Sequence, residues 1–284
     1  MKYTSSNRNI AFLGTSLPRE CGIATFTQDL LDELQHIKGF NKPRIIAINN
    51  NEAYDYPEQV KREIDQHKLS DYIETADYLS SSDVDLLVIQ HEFGIYGGES
   101  GEYLIPFVER LTIPYVVIFH TVLTKPSAKQ RHIMSRAAEL SVKVVTMAQS
   151  TVTDLISIYG VDAAKIAFIH HGVPHVKTGS RSELKEQYGF AGRKILSTFG
   201  FLSPGKGIEY SIEAMRGVVK QHPDSLYIIF GKTHPVVKQE TGEVYRQKLM
   251  DLVEELDLTK NVRFVDNQCK YKRYCSLRTI ICAG

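Results

Sequence analysis

The stretch "KILSTFGFLSPGKGIEYSIEAM", residues 194–215, holds the pattern that decides the fold. "KILSTFG" reads as a short buried strand ending in Gly200, and "SPG" as a turn. Lys206 and Gly207 then open a helical pattern, "GIEYSIEAMRGVVKQ" (207–221). A strand, a glycine-bearing turn and a helix make the first half of a βαβ unit. A lysine at a helix N-terminus sets a point charge beside free backbone N–H groups, which suits a diphosphate. The run is not a Walker loop, which needs GxxxxGK followed by Ser or Thr.

The same grammar continues downstream. "SLYIIFG" (225–231) reads as a strand, "EVYRQKLMDLVEELDL" (243–258) as a helix and "VRFV" (262–265) as a strand. The loop "FGKTHP" (230–235), with Gly231 and Lys232, falls on the same sheet edge as "SPGKG" with Gly205 and Lys206. Upstream, "HVKTGSRSELKEQYGFAGR" (175–193) is polar, has no buried strand and reads as a linker and a first helix. Before it the strand pattern runs through "NIAFLG" (9–14), "RIIAIN" (44–49), "DLLVIQ" (85–90), "YVVIFH" (115–120), "KVVTM" (143–147) and "KIAFI" (165–169). Nearly continuous apolar strands alternating with amphipathic helices predict parallel sheets covered on both faces. In the first helix, Ile23, Phe26, Leu30, Leu34 and Ile37 are spaced as one apolar face. The expectation is α/β: two doubly wound Rossmann-like domains, 1–175 and 176–284, the second incomplete with about three strands.

Composition narrows the function classes. The chain has 284 residues, 43% hydrophobic and 24% charged, with a formal net charge of +1. That balance gives no electrostatic reason to expect nucleic acid. The longest apolar runs are too short to cross a bilayer, and the start lacks the apolar core of a secretory signal. Cys21 is the one cysteine outside the tail, which suits a reducing cytoplasm.

Ligands of doubly wound folds bind at the carboxyl ends of strands, so the loops there carry the candidate residues. "GTSLPRECGIATFT" (14–27) joins the first strand to the first helix and contains Arg19 and Gly22. Gly22 lets a ligand approach the backbone at the positive end of a helix. "QHEFGIYGGESGEY" (90–103) places His91 and Glu92 at a strand end, with Gly97 and Gly98 in a glycine-rich loop suited to sugar hydroxyls. His120 ends the fourth of these strands and is expected to face a cleft between domains. "HHGVP" (170–174) ends the sixth. Its two histidines point to opposite sides of an extended chain, so one metal is not expected to use both.

Taken in order, the Gly22 loop, His120, "HHGV" and "SPGKG" resemble the family 4 retaining glycosyltransferases of the GT-B fold over about residues 8–266. The resemblance implies hexosyl transfer with retention from a nucleotide-diphosphate sugar to a saccharide or other acceptor, as in polysaccharide or glycoconjugate biosynthesis. It implies no required metal or other cofactor, a cytoplasmic site and possible peripheral association with a membrane. By resemblance, Lys206 holds the donor diphosphate, Gly22 lies under the diphosphate and reacting sugar, and His120 contacts the donor sugar. The loops themselves add Gly205, Gly231 and Lys232 as donor-side candidates, Glu92 beside His120 as a catalytic candidate, and His91, Gly97 and Gly98 as acceptor-side candidates. The family has arginine right after the glycine of the 194–215 motif. Here the residue is Phe201, with Arg19 as a candidate substitute on the donor. The alternatives are a nucleotide-sugar 2-epimerase on the same fold and an inactive fragment.

The tail "CKYKRYCSLRTIICAG" (269–284) breaks the pattern, with Cys269, Cys275 and Cys282, four basic residues and no acidic one. It reads as a segment translated out of frame, with a true divergent terminus as the alternative, and the family's acidic E-x7-E motif is not reached. It is expected to leave the second sheet unfinished and turnover low.

Overall fold

The computed structural model describes residues 7–172 and 180–266, and the backbone of 280–281. Met1–Val173 and Pro174–Gly284 form two compact units.

The first unit runs β1 (Ile10–Gly14), α1 (Gly22–Leu34), β2 (Arg44–Asn49), β3 (Val60–Asp65), α2 (Leu69–Ser80) and β4 (Leu86–His91). It continues with α3 (Leu104–Arg110), β5 (Tyr115–Phe119), α4 (Ala128–Leu140), β6 (Lys143–Thr146), α5 (Gln149–Ser157) and β7 (Ile166–Phe168). Its strands form one seven-stranded sheet in the order β3-β2-β1-β4-β5-β6-β7, every pair parallel. All six expected strands are present. The seventh, β3, is an edge strand in which only Ile64 is buried, so it carries no continuous apolar run.

Side-chain alternation along β1 splits the core. Ala11 and Leu13 pack with Ile46, Ile48, Leu87, Ile89 and Phe119 under α2, α3 and α4. Ile10 and Phe12 pack with Ile45, Ala47 and Leu31 of α1. Each of the buried Ile, Leu and Phe side chains contributes about 1.5–3 kcal/mol by leaving water. The buried face of α1 is Ala24, Thr27 and Leu31, one position round from the expected apolar stripe. Ile23, Phe26, Leu30 and Leu34 are only half-buried. Ile37 lies beyond the helix and is exposed.

The second unit runs α6 (Arg181–Gln187), β8 (Lys194–Phe199), α7 (Ile208–Gln221), β9 (Ser225–Phe230), α8 (Pro235–Thr241), α9 (Val244–Glu255), β10 (Val262–Val265) and β11 (Ile280–Ile281). A capping box of Ser180 and Glu183 starts α6. The sheet order is β10-β9-β8-β11, again all parallel. One face of β8–β10 packs Tyr227, Ile229 and Val262 under α7 and α9, and the other packs Ile195, Leu226, Ile228 and Phe230 with Phe190. The tail adds one two-residue strand, and the sheet stays smaller than that of the first unit. Ile280 and Ile281 pair in parallel with Leu196 and Ser197, where the backbone of β8 offers an open edge. Cys269, Cys275 and Cys282 lie outside the described residues.

Both sheets reverse direction of growth at their first strand. β1 has β2 on one side and β4 on the other, and β8 has β9 on one side and β11 on the other. Such switch points leave a crevice at the carboxyl ends of the strands.

Candidate functional site

In the first unit the switch point lies between Gly14 of β1 and Gln90 of β4. A Cβ on Gly14 would sit 3.0 Å from Gln90 Cβ, so glycine there leaves room for the glutamine. Gln90 Oε1 lies 2.7 Å from His120 Nε2. His120 follows β5, and its backbone N–H donates to His91 O at 3.0 Å. The Phe26 ring meets His120 edge-on at 4.9 Å and His171 at 5.1 Å. The first helix, the β4 and β5 ends and the "HHGV" segment thus converge on one side chain, His120. Burial, and secondarily His171, pushes its pKa down to about 4, so the ring is neutral at pH 7. His170 packs instead against Phe168 at 4.5 Å, so the two histidines part as the extended backbone requires.

Glu92 caps the 3₁₀ turn Phe93–Ile95. Its Oε1 accepts from Phe93 N at 3.0 Å and its Oε2 from Thr121 Oγ1 at 2.5 Å. It braces the β4 loop to the β5 loop beside His120, and neither oxygen is idle.

Several expected ligand contacts have internal explanations. His91 is 1% exposed, held among Phe93, Tyr96 and Phe119, and burial pushes its pKa down to about 3. A saccharide cannot reach it without opening the core. Gly97 is fixed by packing, because a Cβ would lie 1.8 Å from Gln66 O. Gly98 has φ +76, and a Cβ would meet Glu102 and Tyr103. Arg19 turns to the β2–β3 side, donating to Ile48 O at 3.1 Å and Gln66 Oε1 at 3.4 Å. Gln66 in turn donates from Nε2 to Gly94 O at 3.1 Å, so Arg19 braces the β2–β3 side to the loop that follows β4. Gly22 does open outward, with nothing within 4 Å of a Cβ. Cys21 caps its helix through a hydrogen bond from Ala24 N to Sγ at 3.4 Å.

In the second unit the loops after β8 and β9 zip together. Leu202 N donates to Lys232 O at 2.8 Å, and His234 N to Leu202 O at 2.9 Å. Gly231 permits this approach, since a Cβ would lie 1.9 Å from Gly200 O. Its glycine is therefore a packing requirement. Phe201 rests edge-on against His234 at 5.4 Å. The loop then turns through Pro204–Lys206 to Gly207, whose left-handed φ of +62 caps α7 without a side-chain hydrogen bond. Lys206 and Gly205 are exposed, and a Cβ on Gly205 would meet nothing. Among the described residues Lys206 has no ion pair, and it directly precedes Gly207, the N-cap of a helix of 14 residues that has no side-chain cap and carries Glu209 in its first turn. Lys232 is exposed on the neighbouring loop.

Arg246 of α9 is a residue that sequence reasoning missed. Its Nη1 donates to Gly231 O at 3.4 Å and its Nη2 pairs with Asp266 at 2.5 Å. Gln90 was also missed, although a lone glutamine inside the apolar run "DLLVIQ" was the available signal. Among the described residues no three His, Cys, Asp or Glu side chains are grouped to hold a metal. None of the described helices is long and apolar enough to cross a membrane.

Residues 180–282 match the family described as Glycosyl transferases group 1. No curated protein sequence matches the chain. Solved structures share the fold at low identity. HepE from Anabaena, in complex with UDP and glucose, has a TM-score of 0.69 at 16% identity, covering 97% of this chain and 73% of that one. Sucrose-phosphate synthase from Thermosynechococcus elongatus has a TM-score of 0.70 at 15%, covering 97% and 75%. UDP-GlcNAc 2-epimerase from Neisseria meningitidis, bound to UDP-GlcNAc, has a TM-score of 0.59 at 15%, covering 97% and 77%. The fold is therefore that of the GT-B proteins, with a smaller second sheet.

Proposed function

We propose that this chain binds a nucleotide-diphosphate sugar and belongs to retaining glycosyl transfer. The observation that carries the reading is Lys206 and Gly207 at the uncapped start of α7. They lie on a sheet switch point, inside the segment that matches group 1 glycosyl transferases. In the transfer, the bond from the anomeric carbon to the diphosphate oxygen breaks, an acceptor hydroxyl oxygen bonds to the same face, and its proton passes to the departing diphosphate. The leaving nucleoside diphosphate gathers negative charge. Lys206 and the first N–H groups of α7 supply fixed positive charge where it develops, and such preorganised groups lower the barrier. No metal is needed for that role. His120, neutral, meets a hydroxyl of the transferred sugar, and Glu92 holds the adjoining loops. Gly22 and Gly205 keep the backbone bare where donor groups approach. The acceptor is a saccharide or glycoconjugate precursor, made in the cytoplasm or at a membrane surface.

The test is incubation with a panel of nucleotide-diphosphate sugars and saccharide acceptors, followed by NMR of the anomeric proton. Transfer with the donor's anomeric configuration supports the reading. Conversion of the donor to its 2-epimer without acceptor would assign the fold to epimerase chemistry instead. A panel giving no transfer, hydrolysis or binding would leave the chain without donor chemistry.

A further inference from the structure

We infer that Gln90 is a positioning residue for His120: it accepts the Nε2–H, fixes that tautomer and turns the Nδ1 lone pair to a hydroxyl of the bound sugar. This rests on the reading above for the identity of the ligand, but not for the tautomer.

Gln90 is 0% exposed, yet it is a polar residue next to the carboxyl end of apolar β4, at the sheet switch point. A Cβ at residue 14 would crowd this slot, lying 3.0 Å from Gln90 Cβ. Register fixes the pair, since Gln90 lies beside Ile118 and His91 beside Phe119, which brings His120 next in line. The one hydrogen bond the glutamine side chain makes is the 2.7 Å contact from Oε1 to His120 Nε2. Its Nε2 is buried with no partner. A buried amide with an unpaired donor destabilises a fold, so packing alone does not account for glutamine here. An apolar side chain of the same length would fill the slot without that penalty.

With the carbonyl end toward the ring, the imidazole carries its proton on Nε2. That is also the tautomer that histidine favours in water. Nδ1 makes no hydrogen bond among the described residues and is not a buried atom. The ring is held edge-on by Phe26. The titratable neighbours are His171 across Phe26, His91 in the preceding strand and Glu92, whose oxygens are engaged by Phe93 and Thr121. None of them offers a carboxylate to the imidazole, and burial keeps it uncharged at neutral pH. A neutral ring with Nε2 tied back can only accept at Nδ1. It therefore favours a hydroxyl donor in that place over a carbonyl or carboxylate oxygen.

The test is two-bond proton–nitrogen NMR of the full chain at pH 7, with the His120 signals assigned by their loss in His120→Ala. The expected wild-type pattern is the Nε2–H tautomer. Gln90→Met should unfold at the same or higher denaturant, yet show His120 as a mixture of tautomers. Gln90→Glu should raise the His120 pKa by at least one unit. Addition of a bound nucleotide-diphosphate sugar should move the His120 Nδ1 resonance. A wild-type Nδ1–H tautomer, an unchanged pattern in Gln90→Met, or donor binding that leaves Nδ1 unmoved would overturn the inference. Failure of every nucleotide sugar to bind would refute the functional reading and the sugar contact together. The tautomer measurement decides the role of Gln90 toward His120 by itself.

Discussion

His91→Phe should make the first unit resistant to mild acid. His91 is 1% exposed and its pKa is pushed down to about 3, while the unfolded value is about 6.5. Between those values the unfolded chain binds a proton that the folded chain refuses. The stabilisation is therefore whole above about pH 6.5 and is lost as pH falls toward 3. Between pH 7 and pH 5 the loss from this residue is about 2 kcal/mol. His120 contributes in the same sense, its pKa being pushed down to about 4. Its ring is partly open to water, so about 1 kcal/mol is the appropriate figure over that interval. Wild type should then lose about 3 kcal/mol from these two groups and His91→Phe about 1 kcal/mol. Phenylalanine suits the site, which is walled by Phe93, Tyr96 and Phe119, and it removes the unpaired Nδ1. Urea unfolding at pH 7, 6 and 5 measures the difference. If the variant loses as much stability as wild type over that range, His91 is not a buried neutral histidine and its removal from the acceptor surface is wrong.

The glycines separate packing from ligand access. Gly231→Ala drives a Cβ into a backbone oxygen 1.9 Å away and should cost the second unit about 3 kcal/mol, read as an earlier urea transition. Gly205→Ala has open space around its Cβ and should leave unfolding within about 0.5 kcal/mol while weakening nucleotide-sugar binding. Arg19→Ala removes two hydrogen bonds within the first unit and should cost about 1–2 kcal/mol in stability. Donor affinity should stay near wild type, as calorimetry would report. On the proposed role of Lys206 and α7, prolonged treatment with a chelator should leave any transfer rate unchanged. A rate restored only by added divalent cation would contradict that.

Strand positions were legible because strands buried on both faces write continuous apolar runs, as "RIIAIN" and "SLYIIF" do. β3 was not, because "VKREID" buries one side chain at the sheet edge. α8 was not, because "PVVKQET" buries none. The true face of α1 escaped a count of large apolar residues because two of its three buried positions are Ala24 and Thr27. In the site, a strand-ending histidine drew notice to His120 and a glycine-lysine pair to Lys206. Sequence could not distinguish a glycine that admits a ligand from one that admits its own chain, and Gly97 and Gly231 are of the second kind. Nor could it tell which of the neighbours Gln90, His91 and Glu92 would be sealed in the core. That depends on Phe93, Tyr96 and Phe119 closing over His91.

Calorimetric titration of the full chain with nucleotide-diphosphate sugars, beside Lys206→Ala, tests the central claim most directly. Lys206 is exposed, and no ion pair holds it among the described residues, so its removal should leave the fold intact. Loss of a charge-assisted contact costs about 1.5–3 kcal/mol, which is about a 10- to 100-fold weaker Kd. The account predicts measurable binding by wild type and that loss in the variant. Equal affinity in both proteins, or no binding by wild type to any nucleotide-diphosphate sugar, would contradict it.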